Sequence, residues 1–492
     1  MKALIVMSLS IWLALGASQM AAKEKAVVAS KAFTESHILA EITAQLLEAR
    51  GFEVERKLGL GGSMIAFEGL RQGELDVYPE YTGTLTEAIL KQPELSRADL
   101  NAALAERGLV FRVELGFNNS YAIAVTEATA RARGLKAISD LSRQPDLLLA
   151  FSHEFLNRGD GWPALQSRYG LPQQPTGIEH ALAYPALDNG QLDVTDAYTT
   201  DGELSRYQLR LLSDDRNFFP TYDAGLLTRQ DSSPALNQVL EELANAFDET
   251  NMRALNQRVA NDGEAITSVA ADFLHTQGLI ANATSTAPTQ ASRILNNTLV
   301  HLKLTSLALA LGCLVAIPLT LTLARRQRAA SALLYVTGLL QTIPALALLA
   351  LLIPLVGLGE LPAIIALFLY SLLPIVRNTL TALFNIDPLL KQVAAGLGLS
   401  PTQQLLKIEL PLAAPTILAG VKTAAIISIG TATLAAFVGA GGLGEPIITG
   451  LTLNDHSLIL EGAIPAALLA ITVELIFEAI ERFVIPAHLR VS

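Results

Sequence analysis

Residues 25–275 alternate between short apolar runs and longer amphipathic segments. The runs KAVVASK, FEVERKLGL and LDVYPEY have the length and composition of strands, and the segments SHILAEITAQLLEARG and SMIAFEGLRQG between them show helical periodicity. The alternation resumes after Gly134 with DLLLAFS, IEHALAYPALDNG and LDVTDAY. Strands separated by helices of this length favour parallel α/β units. We therefore predict two α/β lobes over this part of the chain.

The rest of the chain has another pattern, with few charges over helix-length stretches. A run of about 20 apolar residues is what a helix needs to cross a membrane. Such stretches occupy roughly 298–323, 332–356, 361–384, 415–439 and 459–480. We predict an all-α polytopic domain of about five transmembrane helices over 293–492. Residues 276–292 have the Ala, Thr, Ser and Pro composition of a flexible linker.

Charge separates the same two parts. Residues 1–284 carry 37 acidic and 24 basic side chains, whereas 285–492 carry 9 and 11. The loop ARRQRAA after the first apolar stretch is basic, and GLGELP after the second has no basic residue. This is the positive-inside pattern of a chain whose α/β domain lies outside. We predict a multi-pass protein of a bacterial cytoplasmic (inner) membrane, with that domain on the periplasmic or extracellular side.

The first 22 residues are typical of an export segment. They hold one early lysine, an apolar run and small residues before Lys23. This pattern predicts a signal peptide, with an uncleaved N-terminal anchor as the alternative.

The stretch GELDVYPEYTGT at 73–84 is echoed by GQLDVTDAYTTD at 190–201. Each runs from a glycine through a short strand to a tyrosine eight positions later. Ligands of open α/β sheets lie beyond the carboxyl ends of the strands. We therefore predict that Tyr81 and Thr84 line one wall of a cleft and Tyr198 the other.

Two more tyrosines lie in segments that we expect to cross between the lobes. They are Tyr121 in FNNSYAIAV and Tyr222 in NFFPTYDAGL. Four converging tyrosines would form an aromatic cage, whose ring faces attract a poorly hydrated cation such as trimethylammonium. The alternative for each ring taken alone is ordinary core packing with the hydroxyl at the edge.

Several of these stretches resemble a known family. KAFTESHIL, GLGGSMIAFEGLRQGELDVYPEYTGT, DAYTTD and FFPTYDA are similar to the substrate-binding proteins of osmoprotectant ABC importers, which take up glycine betaine, choline, carnitine and relatives. The resemblance covers 25–275 and implies a two-lobed periplasmic-binding-protein domain, type II-like, that closes on its ligand. The family's aromatic cage falls on the four tyrosines named above.

The resemblance also implies anchors for the carboxylate of a betaine. These fall on Lys31, Thr84 and Arg158, and a carboxylate is well served by charged and hydroxyl donors. An ordinary surface ion pair is the alternative for the two basic residues. Asn119 stands where some relatives carry an acid, and Glu80 adds a carboxylate that either meets the ligand or is solvated. These departures leave the ligand open, with ergothioneine or another trimethylated amino acid as the alternative cargo.

Residues 388–414 resemble the coupling loop of ABC importer permeases. The family pattern is Glu-Ala-Ala, three residues, Gly, nine residues and Ile-x-Leu-Pro. Here the matching residues, with a glutamine in place of the glutamate, are Gln392, Gly398, Ile408, Leu410 and Pro411. The resemblance implies docking on a cytoplasmic ATP-binding subunit. We expect a tight turn at the glycine, and an amphipathic QQLLKIELP segment lying flat for docking.

No G-x-x-x-x-G-K-[ST] phosphate loop, metal constellation or Ser/His/Asp spacing occurs in the sequence. We therefore predict a transporter subunit that is not an enzyme, has no cofactor or metal, and relies on ATP hydrolysis by a partner chain. His37, His153 and His180 are interpreted as surface or packing histidines.

The expected partners are a small quaternary-ammonium solute, the ATP-binding subunit, membrane lipid and a second copy of the permease domain, without nucleic acid. A solute-gated channel and a solute sensor remain alternatives, against which the Ile-x-Leu-Pro match argues.

Overall fold

A computed structural model describes residues 23–93, 95–281, 289–453 and 455–484. The predicted export segment and residues 282–288 of the predicted linker lie outside this description. The described chain forms a two-lobed α/β domain followed by an all-helical domain, which confirms the predicted fold class.

The strands described in the N-terminal domain are short. They are β1 (Lys25–Lys31), β2 (Glu53–Leu60), β3 (Val77–Tyr81), β4 (Leu109–Asn118), β5 (Tyr121–Thr126), β6 (Ala150–Ser152), β7 (Thr176–Ile178), β8 (Val194–Tyr198), β9 (Leu209–Leu212) and β10 (Asp223–Arg229).

The helices of this domain cover the sheets. They are α1 (Thr34–Ala49), α2 (Ser63–Arg71), α3 (Arg97–Ala105), α4 (Glu127–Arg133), α5 (His153–Asn157), α6 (Trp162–Tyr169), α7 (His180–Asp188), α8 (Glu203–Arg206), α9 (Pro234–Glu241), α10 (Glu249–Ala260) and α11 (Ile266–Thr276), with a π-helical turn at Thr84–Ile89 and a 3₁₀ turn at Ile138–Arg143.

The first lobe is built on a five-stranded sheet of order β2-β1-β3-β10-β4. β1 pairs in parallel with β2 and β3, as the α/β pattern predicts, and the apolar face of α1 packs in the core of this lobe. β10 runs antiparallel to both β3 and β4. It enters the lobe from the opposite side, because the chain returns to it from the second lobe.

The second lobe departs from the predicted parallel arrangement. Its three-stranded sheet has the order β8-β5-β9, and β5 is antiparallel to both neighbours, while β6 and β7 form a separate parallel pair. The lobes are joined by two crossings, at 119–120 and 213–222. Tyr121 follows the first crossing and Tyr222 ends the second, so both lie at the junction, as predicted.

The C-terminal domain is helical throughout the described residues. Its helices are α12 (Gln290–Leu323), α13 (Gln327–Thr342), α14 (Ala345–Val356), α15 (Glu360–Phe384), α16 (Pro388–Gly396), α17 (Pro401–Gln404), α18 (Leu410–Thr431), α19 (Gly444–Thr452) and α20 (His456–Val484), with a π-helical segment at Leu405–Glu409 and a 3₁₀ segment at Ala432–Val438.

Four helices among the described residues are long and apolar enough to cross a membrane. The predicted stretch 332–356 is not a straight helix, because α13 and α14 meet at 94° and make a fifth span only if the bent pair counts as one. The break falls at Ile343, which is extended with φ −68° and ψ 125° and precedes Pro344. A proline disfavours helical geometry in the residue before it, which explains the bend.

The predicted turn of the coupling loop is present. Gly398 has φ +78° between α16 and α17, and Ser400 caps α17 by accepting a hydrogen bond from the amide of Gln403. The expectation of a separate flat helix is wrong. From Pro401 the chain continues as one helix to Val438, so the QQLLKIELP segment prolongs the membrane helix.

The two domains pack directly on each other. One apolar cluster contains Leu60 and Phe67 of the first lobe together with Leu349, Leu358 and Val438 of the helical domain. The α/β domain therefore lies docked on the membrane domain in this structure.

Candidate functional site

A cavity of about 440 Å³ lies between the two lobes, and all four predicted tyrosines line it. Tyr81 ends β3 and Tyr198 ends β8, so the two echoing sequence stretches do face each other across one space. Tyr121 pairs in register with Tyr198 across the second sheet. The ring centroid of Tyr121 is 5.1 Å from that of Tyr198 and 5.6 Å from that of Tyr222.

A fifth aromatic residue, Phe33, also lines the cavity, and the sequence analysis missed it. Its ring centroid is 5.6 Å from that of Tyr198 and 6.2 Å from that of Tyr81, so it bridges the walls of the two lobes. Phe33 comes two residues after β1 ends. The argument from strand ends that found Tyr81 applies equally to this residue.

The ammonium group of Lys31 lies 2.6 Å from a carboxylate oxygen of Glu80, and both side chains are buried. The same nitrogen is 4.8 Å from the ring centroid of Tyr81. Lys31 lines the cavity, but Glu80 is not among the lining residues and lies behind it. Glu80 is therefore neither solvated nor in contact with the cavity, and it holds the lysine in place.

Arg158 has a similar arrangement in the second lobe. Its guanidinium donates to both oxygens of Asp160, at 2.8 and 2.5 Å, and to Glu154 at 3.1 Å. It lies 5.3 Å from the ring centroid of Tyr121 and makes a long contact of 3.5 Å with the hydroxyl of Thr84. Arg158 is buried, so it does not form the surface ion pair considered above.

Glu35 is a buried carboxylate that the sequence analysis did not select. It accepts hydrogen bonds from the hydroxyl of Tyr81 at 2.6 Å and from Asn119 at 2.9 Å. Thr200 of the second lobe donates at 2.5 Å and Asn256 of α10 at 3.0 Å. Burial raises the pKa of Glu35 above its ordinary value, although the four hydrogen bonds act in the opposite direction.

The hydrogen bonds to Glu35 fix the orientation of two predicted site residues, Asn119 and Tyr81. Asn119 lines the cavity and points its amide to Glu35, and Tyr81 has its hydroxyl fixed by the same carboxylate. Glu35 thus orients a cavity ring while joining both lobes and the crossing between them. A single glutamate at a helix start gives no pattern in the sequence, so nothing there indicated this role.

Two of the three histidines interpreted as surface or packing residues lie at the cavity. His153 and His180 line the cavity. The imidazole of His180 lies 4.6 Å from the ring centroid of Tyr198, and its Nε2 is 3.2 Å from Asp201. Burial alone would lower the pKa of His180, but hydrogen bonds and charges of Asp196 and Asp201 raise that pKa well above its ordinary value.

The residues of the predicted coupling loop do not line this cavity, and Pro401 of this loop accepts a hydrogen bond from Arg325 just beyond the end of α12. Gln392 is on α16, Ile408 is in the π-helical segment, and Leu410 and Pro411 begin α18. Large apolar side chains of this loop are exposed: Leu389, Leu390, Val393, Leu397 and Leu406. Across the residues that the structure describes, no group of three or more His, Cys, Asp or Glu side chains is placed to hold a metal ion.

Comparison with known families matches both parts of the chain. A family described as the substrate-binding domain of ABC-type glycine betaine transport systems matches residues 24–276. A second, described as the inner-membrane component of binding-protein-dependent transport systems, matches residues 308–488.

Individual relatives divide in the same way. Over 202 residues the chain is 43% identical to a choline transport system permease protein of Bacillus subtilis, covering 41% of this chain and 93% of that protein. Over 289 residues it is 34% identical to a glycine-betaine-binding protein of Pseudomonas aeruginosa, covering 54% and 91%. A crystal structure of a glycine betaine/carnitine/choline ABC transporter aligns with TM-score 0.44 and 27% identity, over 52% of this chain and 99% of that one.

Proposed function

This chain belongs to the family of substrate-binding domains of ABC-type glycine betaine transport systems, joined here to an inner-membrane transport component, and on that premise we propose that it binds and imports a quaternary-ammonium compatible solute. The proposed solute is glycine betaine, choline, carnitine or a close relative. The observation that supports this most is the convergence of five aromatic side chains from both lobes on one cavity.

Aromatic faces suit a methylated cation because their negative quadrupole attracts a charge that water solvates weakly. Each ring contributes about 0.5–2 kcal/mol, more when the cation is desolvated. Glu154 and Glu179 also line the cavity and add negative charge near the rings. Lys31 and Arg158 lie on the same walls, where N–H donors can meet the carboxylate of a betaine or an amino acid.

Isothermal titration of the full-length chain in lipid nanodiscs tests this proposal. The solutes are glycine betaine, choline, carnitine, proline betaine and ergothioneine, and glycine is the matched control because it lacks the methyl groups. We expect saturable binding of at least one methylated solute and none of glycine. Binding of glycine with equal affinity, or of none of the five solutes, would contradict the cage.

For the membrane part we propose ATP-driven import from the outer face, with ATP hydrolysed on a separate chain. The exposed apolar side chains of the coupling loop support this, because a cluster of this kind on a membrane-domain loop fits docking on a partner better than contact with water. Two copies of the permease domain are proposed to pair around the route of the solute through the membrane, and the coupling loop of each copy engages one ATP-binding subunit.

Co-purification in mild detergent tests the docking. The variant Leu397→Asp places a charge at the most exposed of these side chains, which is 74% exposed. We expect it to lose the ATP-binding subunit and solute-stimulated ATP hydrolysis while retaining solute binding. A charge at Tyr335, exposed on α13, is the matched control. Solute flux from a chain that never associates with an ATP-binding subunit would favour a solute-gated channel instead.

A further inference from the structure

The cavity has a third wall that neither lobe provides. Besides the two lobes, its lining includes residues of the membrane domain from α14 and from the 3₁₀ segment: Leu346, Leu349, Ala350, Phe437 and Val438. All five are apolar, and Phe437 is the aromatic one. Its neighbours Ala436 and Val438 are buried, whereas Phe437 is only partly buried and lines the space that holds the tyrosines.

The position of Phe437 is fixed by backbone contacts on both sides. Its carbonyl accepts a hydrogen bond of 3.3 Å from the amide of Gly61 in the first lobe. A Cβ on Gly61 would come within 3.2 Å of the Phe437 ring, so only glycine permits this approach without a shift. On the membrane side, the carbonyl of Val438 accepts from the amide of Gly359 at 2.7 Å, and Gly439 ends the segment with φ +72°.

The membrane domain touches the second lobe as well. α19 contacts both β2 of the first lobe and α7 of the second, and α7 begins at His180. The 3₁₀ segment and α19 are joined by only a few residues, 439–443. One compact unit of the membrane domain therefore spans the cleft between the lobes and closes the cavity on that side.

We propose that the membrane domain completes the solute site, and that Phe437 is a solute-contacting, specificity-determining ring of the docked state. The inference rests on the proposed function, since its reason is the affinity of an aromatic face for a methylated cation. A solute held in the docked chain then touches the permease before it leaves the lobes. Its next surface is the apolar floor formed by Leu346, Leu349 and Ala350.

The test compares solute affinity of full-length variants in nanodiscs, with choline and glycine betaine as probes. We expect Phe437→Ala to weaken binding roughly threefold to tenfold, Phe437→Tyr to retain it and Phe437→Leu to behave like alanine. Phe384→Ala is the matched control, because that ring is exposed at the far end of α15 and away from the cavity. Unchanged affinity in Phe437→Ala, or full recovery with leucine, would overturn the contact.

A second readout does not depend on the size of an affinity change. Cys313 is the only cysteine in the sequence, so Phe437→Cys in a Cys313→Ala background carries a single thiol. We expect saturating choline or glycine betaine to slow modification of this thiol by a maleimide several-fold. If a solute binds wild-type protein but does not protect the thiol, the proposed contact between solute and Phe437 is wrong, while the proposed function stands. Absence of solute binding by wild-type protein instead overturns the proposed function.

Discussion

The two strand ends that carry Tyr81 and Tyr198 are built alike, but the base beside each ring differs. At the end of β3, Glu80 holds Lys31 against the ring of Tyr81. At the end of β8, Asp201 holds His180 against the ring of Tyr198. Each cavity wall thus places a basic side chain between a carboxylate and a tyrosine ring: Glu80, Lys31 and Tyr81 in the first wall, and Asp201, His180 and Tyr198 in the second. The second lobe uses a histidine, whose charge depends on a proton and whose pKa Asp196 and Asp201 raise well above its ordinary value.

The strands also differ in their surroundings. β3 is a central strand, whereas β8 is at the edge of its three-stranded sheet. Eleven positions after the glycine of each echoing stretch stands Thr84 in one lobe and Asp201 in the other. The threonine lines the cavity, while the aspartate is not among its lining residues and supports the histidine from behind. In the first wall, the ion pair of Lys31 and Glu80 is deeply buried. In the second wall, the ion pair of His180 and Asp201 exists only while the histidine is protonated.

The largest expected difference between the walls is the effect of removing the base. Lys31→Met leaves the carboxylate of Glu80 buried without its ion-pair partner, which costs about 3 kcal/mol or more. His180→Gln costs about 1–2 kcal/mol, because Asp201 is less deeply buried than Glu80 and still accepts a hydrogen bond from the hydroxyl of Tyr184. Thermal unfolding of the full-length chain in detergent measures both changes.

The double substitution Lys31→Met with Glu80→Gln provides the control for this difference. It removes both buried charges and should recover most of the midpoint lost in Lys31→Met. Equal midpoints for Lys31→Met and His180→Gln would show that the two walls are supported equally.

The next effect is on solute affinity, and here we expect the same change from a substitution in either wall. Tyr81→Ala and Tyr198→Ala each remove one ring face from the cage. We expect each to weaken binding of the best solute about tenfold, the fold-change that corresponds to 1.4 kcal/mol per ring. Titration calorimetry measures this, with Tyr335→Ala as a control because that ring is exposed on α13 and 68% accessible. A loss confined to one lobe would mean that the solute touches a single wall.

These walls also show what the sequence could and could not predict. The two echoing stretches repeat local patterns of period and turn, so their two strands and the placement of Tyr81 and Tyr198 at the cleft followed from residue spacing, whereas the full cage of four tyrosines was implied by the family resemblance. Phe33 was within reach of the same argument. Glu35 was not, because its four partners come from segments up to 221 residues away in the sequence. The wall at Phe437 likewise depends on how distant segments pack, whereas the bend before Pro344 has a local cause in the sequence.

A smaller and pH-dependent effect separates the walls further. The raised pKa of His180 means that the folded chain holds its proton more tightly than the unfolded chain does. The stability from this ion pair is fully present below about pH 6.5, the ordinary pKa of histidine, and is lost as pH rises through the raised value. The midpoint difference between wild type and His180→Gln should therefore shrink at alkaline pH.

The control for that titration is His275→Gln, since His275 is exposed on α11. We expect this substitution to leave the unfolding midpoint within a degree or so of wild type. A difference for His180→Gln that stays constant across the series would mean that the second wall does not depend on a proton.

The smallest expected effect concerns Thr84, the position at which the two echoing stretches diverge. Its hydroxyl makes only a 3.5 Å contact with Arg158, whose other donors are engaged by Asp160 and Glu154. Thr84→Val keeps the shape and removes the hydroxyl. We expect only a twofold to threefold loss for glycine betaine, since so long a contact falls at the lower end of the ~0.5–1.5 kcal/mol that a hydrogen bond contributes. Choline, which has no carboxylate, should be unaffected, and an equal loss for both solutes would assign Thr84 to the shape of the first wall.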